Sequence, residues 1–179
     1  MLSCGGTDIC HCNPSAPASK DFRHDEKHVP LPTTTPVEVT VADILSWPLG
    51  TDPTNTTPRS GRELTLYHIS NAYLQNARIV KFDCDVHLEI SGTPGKNAPR
   101  VIVETPIDSE YCDNRRSLED ALARHHFHLR AAEASKAELS HPLAVSVLGL
   151  AFRDFEHNRG SVEVGTPWEL HPAEATVIQ

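Results

Sequence analysis

The sequence predicts a mainly β domain with one helix, an α+β chain of five strands in the order β-β-β-α-β-β, preceded by a flexible arm. Three observations carry this. Apolar residues recur at period two in several runs, most cleanly at Val86, Leu88 and Ile90. Only Leu118, Ala121, Leu122, His125, Leu129 and Ala132 repeat at helical spacing on one face. Residues 1–36 show neither period and are rich in Pro, Ser, Thr, His and charge.

Taken in order, residues 1–36 read as an arm that cannot bury enough apolar surface to offset its ordering entropy. Its histidines, His11, His24 and His28, read as solvated polar residues, with adventitious metal binding as the alternative. The ordered part is expected over residues 37–179, with 37–62 as an N-terminal extension. Residues 37–47 fit a short strand or a short helix packed on the domain. Residues 48–61 form a loop punctuated by Pro48, Pro53, Pro58 and Gly61. Asn55-Thr56-Thr57 matches a glycosylation sequon. From Glu63 a long first strand begins; Leu64 and Leu66 face one way and Tyr67 and Ile69 the other, which predicts a bulge. Val86, Leu88 and Ile90 mark the second strand, residues 92–97 a turn, and residues 100–104 a third, nearly continuous apolar strand. Ser117 and Asp120 then make an approximate capping box for the helix, which His141-Pro142 ends. Residues 143–155 and 168–178 supply the last two strands.

A long coiled first strand, with a helix between strands three and four, matches the OB-type barrel. Closing the sheet also removes its edges. An open α+β sheet is the competing architecture.

Bulk properties narrow the function. The 179 residues suit one domain plus an extension. No run approaches the roughly 18 apolar residues of a membrane span. The net charge of −8 counts against tight nonspecific nucleic-acid binding, which needs a basic surface. It leaves room for a local basic cleft or an acidic site for a divalent cation. Cysteines stand at 4, 10, 12, 84 and 112. Cys84 and Cys112 either pair across the barrel, implying an oxidising compartment, or are two buried thiols in a cytoplasmic chain. Cys10-His11-Cys12 is too tight for a usual zinc knuckle. Met1 to Gly6 resembles the tail of a bacterial lipoprotein signal, with Cys4 as the lipid-anchored residue, although the charged and apolar regions of a signal peptide are missing.

The polar residues that could carry chemistry lie in two stretches. In the first, Asp83, Asp85 and His87 share one strand face, and Glu104 ends the next strand. Neighbouring strands lie about 5 Å apart, so Asp85 and Glu104 can share a cation. This stretch resembles the staphylococcal-nuclease-like branch of OB folds, which carries Asp-Gly-Asp-Thr, then an Arg, a few apolar residues and Asp-Thr-Pro-Glu. The present chain reads Asp83-Cys84-Asp85-Val86, then Arg100 to Glu104-Thr105-Pro106-Ile107-Asp108. The resemblance implies Asp85, Glu104 and the Thr105 carbonyl as ligands of Ca²⁺, Arg100 and Arg159 on phosphate, and Asp108 as general base, one residue late. The Gly is replaced by Cys84, the Thr by Val86 and the Asp by Glu104, and a longer acid stem shifts a cation in chemistry that tolerates little misplacement.

The second stretch runs from Asp154 through His157 and Arg159 to Trp168-Glu169-Leu170-His171-Pro172. With the Asp-x-Asp-x-His-Leu stretch, it resembles bacterial secreted or lipid-anchored proteins with a strand ending in Glu-Leu-His-Pro. That likeness implies a fold and a compartment. His87, His157 and His171 either converge with Asp85 or Asp154 on a metal, or pin barrel strands by hydrogen bonds. His125, His126, His128 and the Arg115-Arg116 pair read as boundary or surface residues. No nucleophile elbow, phosphate loop or dinucleotide fingerprint appears. Two functions therefore stand: a non-catalytic OB module binding an unknown ligand, oligosaccharide or protein outside the cytoplasm, and a divalent-cation-dependent phosphodiesterase that would act on nucleic acid.

Overall fold

The structure, a computed structural model, describes residues 9–155 and 160–178. Cys4, His157 and Arg159 lie outside the described residues. The elements that matter are helices α1 (His24–Lys27), α2 (Val41–Leu45) and α3 (Cys112–Arg124), and strands β1 (Val37–Glu38), β2 (Leu66–Ile79), β3 (Val86–Ser91), β4 (Arg100–Thr105), β5 (Glu138–Arg153) and β6 (Val164–Val177).

Strands β2-β3-β4-β6-β5 form a closed barrel, because β5 pairs back onto β2. Only the β4–β6 contact within the barrel is parallel. This five-stranded order, with α3 crossing between β4 and β5, is that of an OB-type barrel. The two-residue β1 adds a sixth strand in parallel beside Tyr67 and His68. Residues 37–47 thus form both a strand and a helix. The extension packs through Trp47, whose ring lies 5.0 Å from Tyr67 and 5.6 Å from Trp168.

The long β2 changes face twice. Tyr67 and Ile69 point inward, then Ala72 and Leu74, then Ala77. The register shifts fall between Ile69 and Ala72 and between Leu74 and Asn76. Each adds one residue and reverses the alternation. The bulge is therefore present, but later than the Leu66/Tyr67 switch suggests. At Gly149 of β5 an added Cβ would lie 2.7 Å from the Ala173 Cβ, so only glycine allows β5 and β6 this close.

Two elements differ from expectation. The helix starts at Cys112, with Tyr111 as an N-cap whose side chain does not cap it, and ends before His125. The chain reaches it through a 3₁₀ turn at Ser109–Tyr111, so Ser117 and Asp120 are interior residues rather than a cap. His126 has a φ of 59°, which breaks the helix. Leu129 and Phe127 then pack on the core from an irregular segment, and the helical spacing of Leu129 and Ala132 is coincidental. Strand β5 begins at Glu138, ahead of Pro142. Pro142 has no registered partner on β2 or β6, so its missing N–H costs no ladder bond.

The larger difference concerns the arm. In the structure, residues 9–36 lie on the barrel. Cys10 pairs with Cys112 and Cys12 with Cys84, in place of a Cys84–Cys112 bond. Each barrel cysteine is taken by a partner from the arm, a link that strand patterns do not reveal. Arg23 is the main polar anchor. It donates to both carboxylate oxygens of Glu63, at 2.7 and 3.1 Å, and to the Arg153 carbonyl at 3.0 Å, and its guanidinium stacks 4.7 Å over the Phe152 ring. Tyr111 donates to the Val29 carbonyl at 2.6 Å. Arg115 is fully buried and donates to the carbonyls of Ile9, Thr105 and Cys84, which corrects its reading as a surface cation.

The Cys12–Cys84 bond closes a segment with a sequence separation of 72 residues. Its loss should release chain entropy on the order of 4 kcal/mol at most. We expect Cys12→Ser with Cys84→Ser to lower the calorimetric Tm and to open residues 9–36 to limited proteolysis. An unchanged Tm and digestion pattern would refute this pairing.

Candidate functional site

The site arises from strand alternation. Val86, Leu88 and Ile90 of β3, Val101 and Val103 of β4 and Leu170 of β6 fill the barrel. Their neighbours therefore point outward: Asp85, His87 and Glu89; Arg100 and Glu104; Glu169 and His171. His87 pairs across the ladder with Glu104, and Val103 with Leu170, which sets Glu104 beside His171. All seven of these side chains are nonetheless buried: His28 of the arm and Phe152 cover the His171 end, and Ser161 and Glu138 close over Glu89 and Arg100.

A chain of close contacts runs through the layer. His87 Nδ1 lies 2.6 Å from Glu104 Oε1, and Glu104 Oε2 lies 3.0 Å from His171 Nδ1. His171 Nε2 lies 3.2 Å from Asp85 Oδ2, without hydrogen-bond alignment. The other Asp85 oxygen accepts the Ile107 N–H at 3.0 Å. The Phe152 and His28 rings sit 5.7 and 6.4 Å from the His171 ring and screen it from water. Glu89 ends the layer, accepting from Arg78 at 3.4 Å, Arg100 at 3.0 Å, and the Ser161 amide and hydroxyl at 2.8 and 2.6 Å.

These contacts move the titrations. Burial would lower the His171 pKa, but Asp85 and Glu104 together raise it to about 8. Glu104 resists protonation: burial opposes its charge, and hydrogen bonds from His171 and His87 hold it well below the usual carboxylate range. Burial, followed by the charges of Asp85 and Glu104, pushes Asp83 up to about 7. His28 is raised as well, burial being outweighed by Asp21, Asp85 and Asp108.

Beside this layer opens a cleft of about 930 Å³. His87 and Glu104 line it. Its walls carry Lys20, Lys27, Arg78, Lys81, Arg130 and Lys136. Lys27 is paired with Asp21, Arg78 with Glu89 and Lys136 with Glu133. Lys20, Lys81 and Arg130 form no side-chain ion pair among the described residues. Phe22, Phe82 and Phe155 add aromatic surface.

Asp85, Glu104 and His171 come together, with ligand atoms within 4.8 Å of one another. His87 joins them through Glu104, and Asp154 lines the same cleft as Glu104. An imidazole among two carboxylates suits zinc or manganese better than calcium, which prefers an all-oxygen shell. Three expected participants are engaged elsewhere. Arg100 is locked between Glu89 and Glu138, the Thr105 carbonyl accepts from Arg115, and Asp108 holds His28 Nδ1 at 2.6 Å. His125 and His128 do not share a helix face; His128 lies exposed beside Glu119. Glu89 and Glu169 were overlooked, though the alternation that exposes His87 and His171 marks both. Arg78 and Lys27 come from other parts of the fold and leave no local signal, and His28, read as a solvated residue of the arm, is buried against Asp108 and His171 instead. No family model, curated protein or solved structure matches the chain.

A raised histidine pKa stabilises the fold below the unfolded value of 6.5 and ceases to do so as pH rises through about 8. In chelator-treated protein, stability should therefore fall by about 2 kcal/mol between these pH values on account of His171. Denaturant unfolding across this range checks it. Glu104→Gln should flatten the dependence, and an equally steep profile in that variant would disprove the assignment.

Proposed function

We propose that this protein is a non-catalytic OB-type binding module, working outside the cytoplasm, that holds a small anionic ligand in the cleft beside the polar layer. The supporting observation is the concentration of Lys20, Lys81 and Arg130 in one cleft of a chain whose net charge is −8. A volume of about 930 Å³ is that of a small-molecule pocket. The three phenylalanines favour a ligand that carries a ring as well as its negative charge, since base–aromatic stacking tolerates many ring types. A nucleotide-sized anion meets both demands. The two disulfides support an oxidising compartment, in line with a lipid anchor at Cys4.

The test is calorimetry with inorganic phosphate and nucleoside monophosphates. We expect saturable binding that weakens with added salt and falls about tenfold in Lys81→Ala or Arg130→Ala, whose Tm stays that of the parent. Binding indifferent to both substitutions, or none, would sink the proposal.

One observation favours a second reading, a divalent-cation-dependent phosphodiesterase: the convergence of Asp85, Glu104 and His171. The cation would stabilise charge on the phosphate, and these three residues would hold it. The assay is cleavage of a chromogenic phosphodiester and of DNA with manganese, zinc or calcium. Metal-dependent turnover abolished by Glu104→Gln would establish it; absence of turnover with every ion leaves the binding module.

A further inference from the structure

The arm carries a second cluster, Asp21, His24 and His28, which neither reading above uses. His24 and His28 stand four residues apart at α1, on one face, with ring centroids 4.0 Å apart. Asp21 Oδ2 lies 3.1 Å from His24 Nδ1 and 3.8 Å from His28 Nε2. Ligand atoms bonded at about 2.0–2.1 Å to a tetrahedral ion lie about 3.3 Å apart. The two observed spacings bracket that value. The other Asp21 oxygen is taken by Lys27 Nζ at 2.9 Å, which leaves Oδ2 for the cluster.

A separate observation points to a ligand. The His28 side chain is only 9% exposed, and its Nε2 is buried without a hydrogen-bond partner. Its Nδ1 meets the Asp108 carboxylate at 2.6 Å. A carboxylate on one imidazole nitrogen fixes the tautomer and directs the lone pair of the other toward a metal. Here that nitrogen faces Asp21, at 3.8 Å. An unfilled buried nitrogen is costly, and an ion would satisfy it. His24 is about a third exposed, so water reaches the remaining side of the cluster.

We propose that Asp21, His24 and His28 bind one divalent transition-metal ion, zinc or its neighbours cobalt and nickel, with Asp108 as the positioning residue. Two imidazole nitrogens and one carboxylate oxygen suit these ions, and a fourth position is left to water. Because Asp108 belongs to the turn after β4, the ion fastens the arm to the barrel. The assignment does not depend on the ligand of the cleft.

The experiment uses full-length, tag-free protein stripped with a chelator and titrated with zinc and cobalt chloride. Calorimetry gives the stoichiometry, and visible cobalt bands report nitrogen ligation. The expected result is one ion per chain and a raised Tm, with affinity reduced about tenfold or more in both His24→Ala and Asp108→Asn. Near-UV circular dichroism should show both variants folded, since neither side chain is in the core. Glu104→Gln should bind as the parent does. No saturable binding by the parent would overturn the proposal. So would binding that survives His24→Ala and is lost in Glu104→Gln, which would place the ion at Asp85, Glu104 and His171.

Discussion

An outer barrel wall bearing seven ionisable side chains can leave water only if each finds a partner and something covers the whole. Desolvation costs several kcal/mol per ion, and removing one member of a buried pair leaves the other uncompensated. The wall formed by β3, β4 and β6 meets both demands. Glu89 is balanced by Arg78 and Arg100, and Glu104 by His87 and His171. Residues 9–36 supply the cover at the His171 end, and Ser161 with Glu138 closes the Glu89 end. Much of the rest of the molecule serves to keep that cover in place.

The arm is ordered by forces other than hydrophobic burial, which explains why its composition misleads. Poor apolar content predicts disorder when burial is the only compensation for lost entropy. Here two disulfides join the arm to α3 and to the turn before β3, reducing the entropy of the unfolded chain instead. A bidentate Arg23–Glu63 pair then fixes its position. Arg59 reinforces the same corner by donating to the Ala151 and His171 carbonyls. Both guanidiniums lie over the Phe152 ring, at 4.7 and 5.3 Å.

The barrel was legible because its signal is local. Val86, Leu88 and Ile90 face inward as their spacing dictates, and the first strand is bulged as expected, although after Ile69 and Leu74 rather than at the Leu66/Tyr67 phase change. The helix boundaries were not, because His126 ends it by backbone conformation while apolar residues continue at a misleading period. For the site, alternation identified Asp85, His87 and Glu104 individually. Their meeting with His171 depends on the parallel β4–β6 pairing, which no local pattern encodes. Arg100 shows the opposite case. It stands four positions before Glu104, about 13 Å along one face. The structure gives Arg100 to Glu89 and Glu138, partners that its place in the strand does not announce.

Glu104 decides how the two carboxylate–imidazole clusters compare as cation sites. With His87 it lines the cleft, 11% of its side chain is exposed, and both its oxygens are occupied by imidazoles. To bind a cation it must surrender at least one charge-assisted hydrogen bond, worth about 1.5–3 kcal/mol, inside a layer where imbalance is penalised. The arm cluster asks for less. Asp21 Oδ2 already stands between two imidazoles, His28 Nε2 has no hydrogen bond to break, and the protons that must leave are those the two imidazoles hold toward Asp21. The deeper layer is thus better suited to holding the wall together and setting the charge beneath the cleft, and the arm to taking up an ion.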